Sequence, residues 1–263
     1  SDDSIITFIT KDGVTSMKLV GFGEATVTIT ATYADKTATA TLKITSTESS
    51  NIDALTVSGA IAASKGDTVV VKGIVGPSLV NKTGFYLIDE TGVIAVTGPA
   101  TIFEGLSIGN EVILTGVRKV NVKDTTTAAI GQTYIADVDI LANDYAIHDY
   151  STASFVTDKS LADVVGLDPL VDYSTTVFTL TATVTVEEAA YYTNIYLSAN
   201  GKQLRLYSSS ASQYNWLKAF AGQEVTVEVA ACNWNDKTYY TGCVLSVVNA
   251  DGTKTYNTLN FNQ

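Results

Sequence analysis

The sequence predicts an all-β protein: two copies of one small five-stranded barrel behind a shorter N-terminal β segment. Three observations carry this. Apolar and polar residues alternate through runs rich in Val, Ile, Thr and Tyr, the pattern of half-buried strands. Helical periodicity is nearly absent, and only three prolines interrupt 263 residues. The stretch from Thr68 to Arg118 also occurs twice: TVVVKGIV, GFYLIDETGVIAV, IFEGL and GNEVILTGVR return as TVFTLTATV, NIYLSANGKQLRLY, YNWLKAF and GQEVTVEVAAC. Tyr86 matches Tyr196, Gly92 matches Gly201 and Gly109 matches Gly222, at offsets of 110, 109 and 113 residues. A repeat of that length is a whole small domain rather than a solenoid unit.

Taken in order, residues 1–46 contain EATVTITATYADKTATATLKIT, two strands hinged near Ala34-Asp35-Lys36. Such a ribbon has to pack on the next domain, pair with a second copy or stay partly uncovered. STESS (46–50) is a polar linker. The first barrel occupies 51–143, entered through NIDALTV and the Lys65-Gly66-Asp67 turn and closed by a fifth strand, QTYIADVDIL. The second occupies 150–263, with SLADVVGL as a short helix, YYTGCVLSVVN as the fifth strand and GTKTYNTLNFNQ as a candidate edge strand. Five strands with a helix or turn between the third and fourth, in about 90 residues, fit an OB-like barrel.

Two resemblances accompany this reading. Gly21 and Gly23 before Thr26 to Ala31, followed by the closing run Thr37 to Ile44, resemble the last half of a bacterial Ig-like domain of group 2. The pattern V-x-G-x-V, G-F-Y-L-x-D-E-T-G-x-I-x-V and G-x-E-V-x-L-x-G is similar to secreted OB-like modules of Gram-negative gut anaerobes. Such modules accompany Ig-like domains in surface lipoproteins and sit beside extracellular endonuclease/exonuclease/phosphatase domains. The resemblance implies two tandem OB-like barrels preceded by a partial Ig-like sandwich fragment, in an extracellular or outer-membrane setting. It implies no catalytic residue. The second repeat departs from the pattern at Ser198-Ala199-Asn200.

The net charge of −11 is spread as −2, −5 and −4 over residues 1–50, 51–149 and 150–263. No segment is basic, which argues against nucleic acid as a partner. No run approaches the roughly 20 apolar residues of a membrane span. The opening SDDSIITF has neither the basic start nor the apolar run of a leader. The chain therefore reads as cytosolic, or as a mature or trimmed piece of an exported protein whose lipid anchor would lie upstream. Scarcity of Lys, Arg, Met and Cys favours export.

Chemistry is sparse, and the chain reads as a non-enzyme without a cofactor. The one histidine, His148, stands beside Asp149, but neighbours on extended chain point apart and no nucleophile motif accompanies them. Asp89-Glu90 belongs to a hairpin turn. Asp137 and Asp139 share a strand face without further calcium ligands. Two cysteines and one histidine cannot complete a zinc site. Cys232 and Cys243, placed opposite one another by a hairpin centred between Lys237 and Thr238, are a disulfide candidate, with two small buried thiols as the alternative.

What distinguishes the repeats is their aromatic content. An OB-like ligand face is built from strands two and three and the loops after strands one and four. In the first repeat those loops, GPSLVNKT and NVKDTTTAAIG, hold no aromatic ring; in the second, EEAAYYT and NWNDKTYYTG hold Tyr191, Tyr192, Trp234, Tyr239 and Tyr240. If Ile195, Leu197, Leu204 and Leu206 face the core, then Asn194, Tyr196, Gln203, Arg205 and Tyr207 face out. With Asn233, Asn235 and Asp236 these residues predict a surface for a glycan or peptide, uncharged or cationic rather than phosphate-rich. The expected function is a cell-surface binding or adhesion protein. A structural spacer and a nucleic-acid-binding accessory of a nuclease are the alternatives.

Overall fold

Alternation decides the strands, and the computed structural model realises it. The structure describes residues 5–11, 14–19, 21, 23–46, 52–79, 83–122, 131–152, 154–168, 171–188, 193–206, 211–232 and 241–255. At the N-terminus β1 (Ile6–Lys11) pairs antiparallel with β2 (Val14–Leu19), a hairpin the sequence reading did not include. The expected ribbon follows as β3 (Gly23–Tyr33) and β4 (Lys36–Ser46), reversing at Ala34 with φ 54°. Its register puts Ala25, Val27, Ile29 and Ala31 opposite Ile44, Leu42, Ala40 and Ala38 on one face. Threonines 26, 28, 30 and 32 take the other face, opposite Lys43, Thr41, Thr39 and Thr37. Ile5 and Ile6 cover only the base of the apolar face, over Ala25 and Val27. Farther out, Ile29 is 58% exposed.

In the first barrel, α1 (Val57–Ala62) starts at Thr56, whose Oγ1 accepts from the Gly59 N–H. There follow β5 (Thr68–Ser78), β6 (Gly84–Asp89), β7 (Gly92–Thr97), a 3₁₀ turn at Ala100–Ile102, β8 (Glu111–Val122) and β9 (Gly131–Asp144). The sheet closes on itself in the order β5-β6-β7-β9-β8, antiparallel except between β7 and β9. Closure leaves no open edge. Inside lie Val69, Val71, Phe85, Leu87, Ile94 and Val96, with the rings of Phe85 and Phe103 edge to face at 5.2 Å.

The second barrel repeats this order. β10 (Thr157–Asp158) and α2 (Leu161–Val165) lead in, and α2 forms where a helix was expected, under a capping box of Ser160 and Asp163. Hydrogen bonds from the Ser160 hydroxyl and backbone hold the Asp163 carboxyl below its ordinary pKa. Then come β11 (Val177–Glu188), β12 (Thr193–Ala199), β13 (Lys202–Leu206), a 3₁₀ segment Ala211–Phe220, β14 (Glu224–Cys232), β15 (Thr241–Val248) and the short β16 (Lys254–Thr255). The β11–β14 pairing closes the ring β11-β12-β13-β15-β14, again with only the third and fifth strands parallel. Ile195, Leu197, Leu204 and Leu206 face the core as the alternation required.

Two register details correct the sequence reading. The hairpins pair Asp89 with Gly92 and Ala199 with Lys202, so Gly92 is equivalent to Lys202 and not to Gly201. The turns differ in chemistry. Asn200 and Gly201 both have positive φ (51° and 72°), as an Asn-Gly type I′ turn requires. In the first copy the Asp89 carboxylate instead accepts from the N–H groups of Thr91 and Gly92. Gly109 and Gly222 do correspond, each with positive φ two residues before the fourth strand. The second correction concerns the cysteines. Cys232 pairs with Thr241 and Cys243 with Ala230. They are diagonal neighbours, roughly 7–8 Å apart at Cα by the usual sheet spacing, rather than directly opposed.

The barrels meet on a broad apolar contact. Tyr86 and Ile88 of β6, Val93 and Ala95 of β7 and Leu79 pack with Val177, Ala230 and Leu245 of the second barrel. Polar clasps surround it. The Thr133 N–H donates to Ser174 Oγ at 2.9 Å, and Thr133 Oγ1 donates to Asp172 Oδ2 at 2.9 Å. Ser154 Oγ donates to the Glu90 carbonyl. A bulge sets Leu245 and Ser246 together against Glu228, so Leu245 reaches the contact while Ser246 Oγ donates to Glu228 Oε2 at 2.7 Å. Glu228, 4% exposed, also accepts from Thr152 Oγ1 and pairs with Lys254 Nζ at 2.9 Å. This latch ties the inter-barrel linker to β14, β15 and β16.

Two stability predictions follow from packing. Glu228→Ala leaves a mostly buried ammonium and two hydroxyls without their acceptor, and should cost about 2–4 kcal/mol in urea unfolding. Glu24→Ala, which breaks only the exposed pair with Lys43, should cost less than about 1 kcal/mol. Equal losses for the two would contradict the latch. At Gly84 a Cβ would sit 1.7 Å from the Val96 carbonyl oxygen, whereas at Gly92 it would meet only Ile61 and Val57 at 3.5 and 3.6 Å. Gly84→Ala should therefore lose about 3 kcal/mol or more, and Gly92→Ala should stay within about 1 kcal/mol of the parent. The same urea titration decides both.

Candidate binding face of the second barrel

The outer face of β11, β12 and β13 is built by parity. With Ile195, Leu197 and Leu204 turned inward, each intervening residue turns out, and register arranges those residues in rows across the strands. One row runs Thr185, Tyr196, Arg205, and the next Thr183, Ser198, Gln203; Glu187 and Asn194 form a third. Ser198 Oγ accepts from Thr185 Oγ1 at 2.8 Å and from Gln203 Nε2 at 3.3 Å, so these polar groups are already oriented toward one another. Tyr196 and Asn194 are half-exposed, and Arg205 is exposed. Glu188, at the end of β11, is paired with Lys218 at 3.0 Å. The result is a flat polar grid with one aromatic ring beside one guanidinium.

The equivalent face of the first barrel has a different fate. Tyr86 occupies the position of Tyr196, yet it is only 3% exposed, because the second barrel lies over it. Of the two equivalent tyrosines, the one on the second barrel is half-buried and the one on the first is covered.

The other site residues named from sequence divide into two groups. Asn194, Tyr196 and Arg205 come together on this face. Tyr191, Tyr192, Tyr207, Asn233, Trp234, Asn235, Asp236, Tyr239 and Tyr240 lie outside the described residues. Thr185 and Ser198 were not named as site residues, although the alternation that placed Tyr196 outside places them there too.

Elsewhere the chemistry is spoken for. His148 Nε2 meets Asp144 Oδ2 at 3.0 Å, rather than its neighbour Asp149, and the His148 backbone N–H donates to the Gly109 carbonyl at 2.8 Å. The Ala146 N–H and His148 together hold the Asp144 carboxyl below its usual pKa. Asp137 stands at a positive φ of 52° and pairs with Lys119, whose ammonium it holds above the ordinary lysine value. Among the described residues no group of three or more His, Cys, Asp or Glu could hold a metal ion. A cleft of about 440 Å³ opens beside β5, between Leu55, Ile74, Glu90 and Asp149. Its Lys72 is paired with Glu111 at 2.8 Å, and its Asp89 is used in capping α1 through the Val57 N–H. No described helix is long and apolar enough to cross a membrane.

Comparison with known proteins adds little. No protein-family model matches the chain, and no curated protein matches its sequence. A solved structure described as "Structural mimicry for functional antagonism" aligns with 69% of this chain and 93% of its own, at 11% identity and a TM-score of 0.34. Another, a replication protein A heterotrimer bound to ssDNA, aligns with 79% of this chain and 72% of its own, at 11% identity and a TM-score of 0.22. At these scores neither likeness bears on fold or function.

Proposed function

We propose that this chain is a non-enzymatic binding or adhesion module of an exported surface protein. In this reading both barrels are OB-like, and a glycan or peptide is taken on the outer face of β12 and β13. The observation that carries it is the asymmetry of the two equivalent faces: Tyr86 is sealed under the second barrel while Tyr196 is left half-exposed. The strand order, with only the third and fifth strands parallel, supports the OB-like assignment. An aromatic ring among hydroxyl and amide groups suits a sugar ring, which stacks on the apolar face and hydrogen-bonds at its edges.

The reading as a structural spacer draws on a separate observation. The apolar contact and the Glu228 latch fix one barrel against the other, as a rigid arm would need. The two readings are compatible, since a spacer can also bind. A nucleic-acid accessory is disfavoured, because Arg205 is the one cation in the rows of the grid and single-strand sites combine aromatic rings with a basic groove.

Glycan and peptide arrays probed with the full chain test the proposal. Binding is expected, with Tyr196→Ala weakening it by more than about 1 kcal/mol while the fold stays intact. An array on which nothing binds, or binding that Tyr196→Ala leaves unchanged, overturns it.

A further inference from the structure

We infer that the ligand of the β12–β13 face is a glycan bearing an isolated carboxylate, with Arg205 as the residue that selects it. The inference rests on the binding reading above and narrows it to a substrate class. Register sets Arg205 directly opposite Tyr196, so a sugar ring stacked on the tyrosine has the guanidinium at its edge. A guanidinium presents five N–H donors in a planar fork that matches a carboxylate bidentately; these can serve the sheet and a ligand at once. On the far side of Tyr196, Thr185 and Ser198 already share a hydrogen bond at 2.8 Å and offer hydroxyls to neutral sugar positions.

The charge of −11 argues against a phosphate-rich ligand, and the polar and aromatic residues suggest an uncharged or cationic one. For a single carboxylate, however, distance limits the charge argument. At physiological salt the screening length is about 8 Å, so remote carboxylates are damped while Arg205 acts at contact. Glu187 stands one row away, opposite Asn194, and Glu224 lies on β14 beyond β11, three strands away and opposite Thr183. A single carboxylate reaches Arg205 and avoids both. A chain of repeated negative charges lies across them and is repelled. Backbone pairing favours a sugar over an acidic peptide. β12 is paired on both sides, by β11 and β13, and β13 is paired by β12 and β15. At Tyr196 and Arg205 themselves the backbone is paired on both sides, so this pair offers side chains rather than a strand edge along which a peptide could add.

The test uses the full chain and a neutral oligosaccharide carrying one terminal uronic acid, compared by calorimetry with its methyl ester. The ester keeps the ring and removes the charge. The acid form should bind about tenfold more tightly than the ester. Arg205→Gln should abolish that difference, so that acid and ester bind alike, and Arg205→Lys should retain part of it. Tyr196→Ala should weaken both forms. Equal affinity of acid and ester overturns the carboxylate inference while the binding face stands. Arg205-dependent binding of a glutamate-rich peptide, with none of either sugar, overturns the glycan assignment. If no sugar or peptide binds at all, the binding reading fails with it.

Discussion

The outer surface of β6 and β7 in the first barrel is covered by the second barrel, and much else depends on that contact. Tyr86, Ile88, Val93 and Ala95 would present a continuous apolar patch in a free barrel. At about 25 cal/mol per Å² of apolar surface removed from water, covering such a patch is worth several kcal/mol, a large fraction of a domain's net stability. The cover fixes the linker: Thr152 is bound into the Glu228 latch, and His148 packs back on Gly109, where a Cβ would strike Ile147 and the His148 carbonyl. It also bears on the proposed function. A face that serves as an internal contact cannot serve a ligand, so of the two equivalent faces only that of the second barrel is left for the proposed recognition.

That division is written in the strands. GFYLID and GVIAV are apolar at nearly every position, the signature of a strand buried on both faces, whereas NIYLSAN and KQLRL alternate as a strand with one wet face. The alternation of β12 and β13 was legible and put Tyr196 and Arg205 outside. The continuous run in β6 and β7 carried an equal message, that something must cover it, but only packing shows that the cover is the second repeat. The number of strands in each unit was recoverable because five runs and a turn recur in the same sequence. The Gly92–Gly201 equivalence misled because a shared glycine conceals two different turns, one of positive-φ residues and one held by the Asp89 carboxylate. The opposed placement of Cys232 and Cys243 failed for a related reason: hairpin symmetry assumed from sequence is shifted by two residues in the actual register.

The N-terminal ribbon behaves differently from both barrels. Its strict threonine face and apolar face are as regular as any strand in the chain, yet only the base of the apolar face is covered. A two-stranded ribbon is marginal in water without a packed face. The ribbon is therefore expected to be the least protected part of the described chain, and the barrel pair the most.

Two equivalent sheet faces differ in exposure, and Tyr86, buried, and Tyr196, half-buried, report it at matched positions. Hydroxyl-radical footprinting of the intact chain, read at these two tyrosines by mass spectrometry, tests it most directly. The account predicts that Tyr196 is oxidised readily, while Tyr86 is protected until the protein unfolds. Comparable oxidation of both under native conditions would mean that the barrels do not cover one another, and would contradict the account.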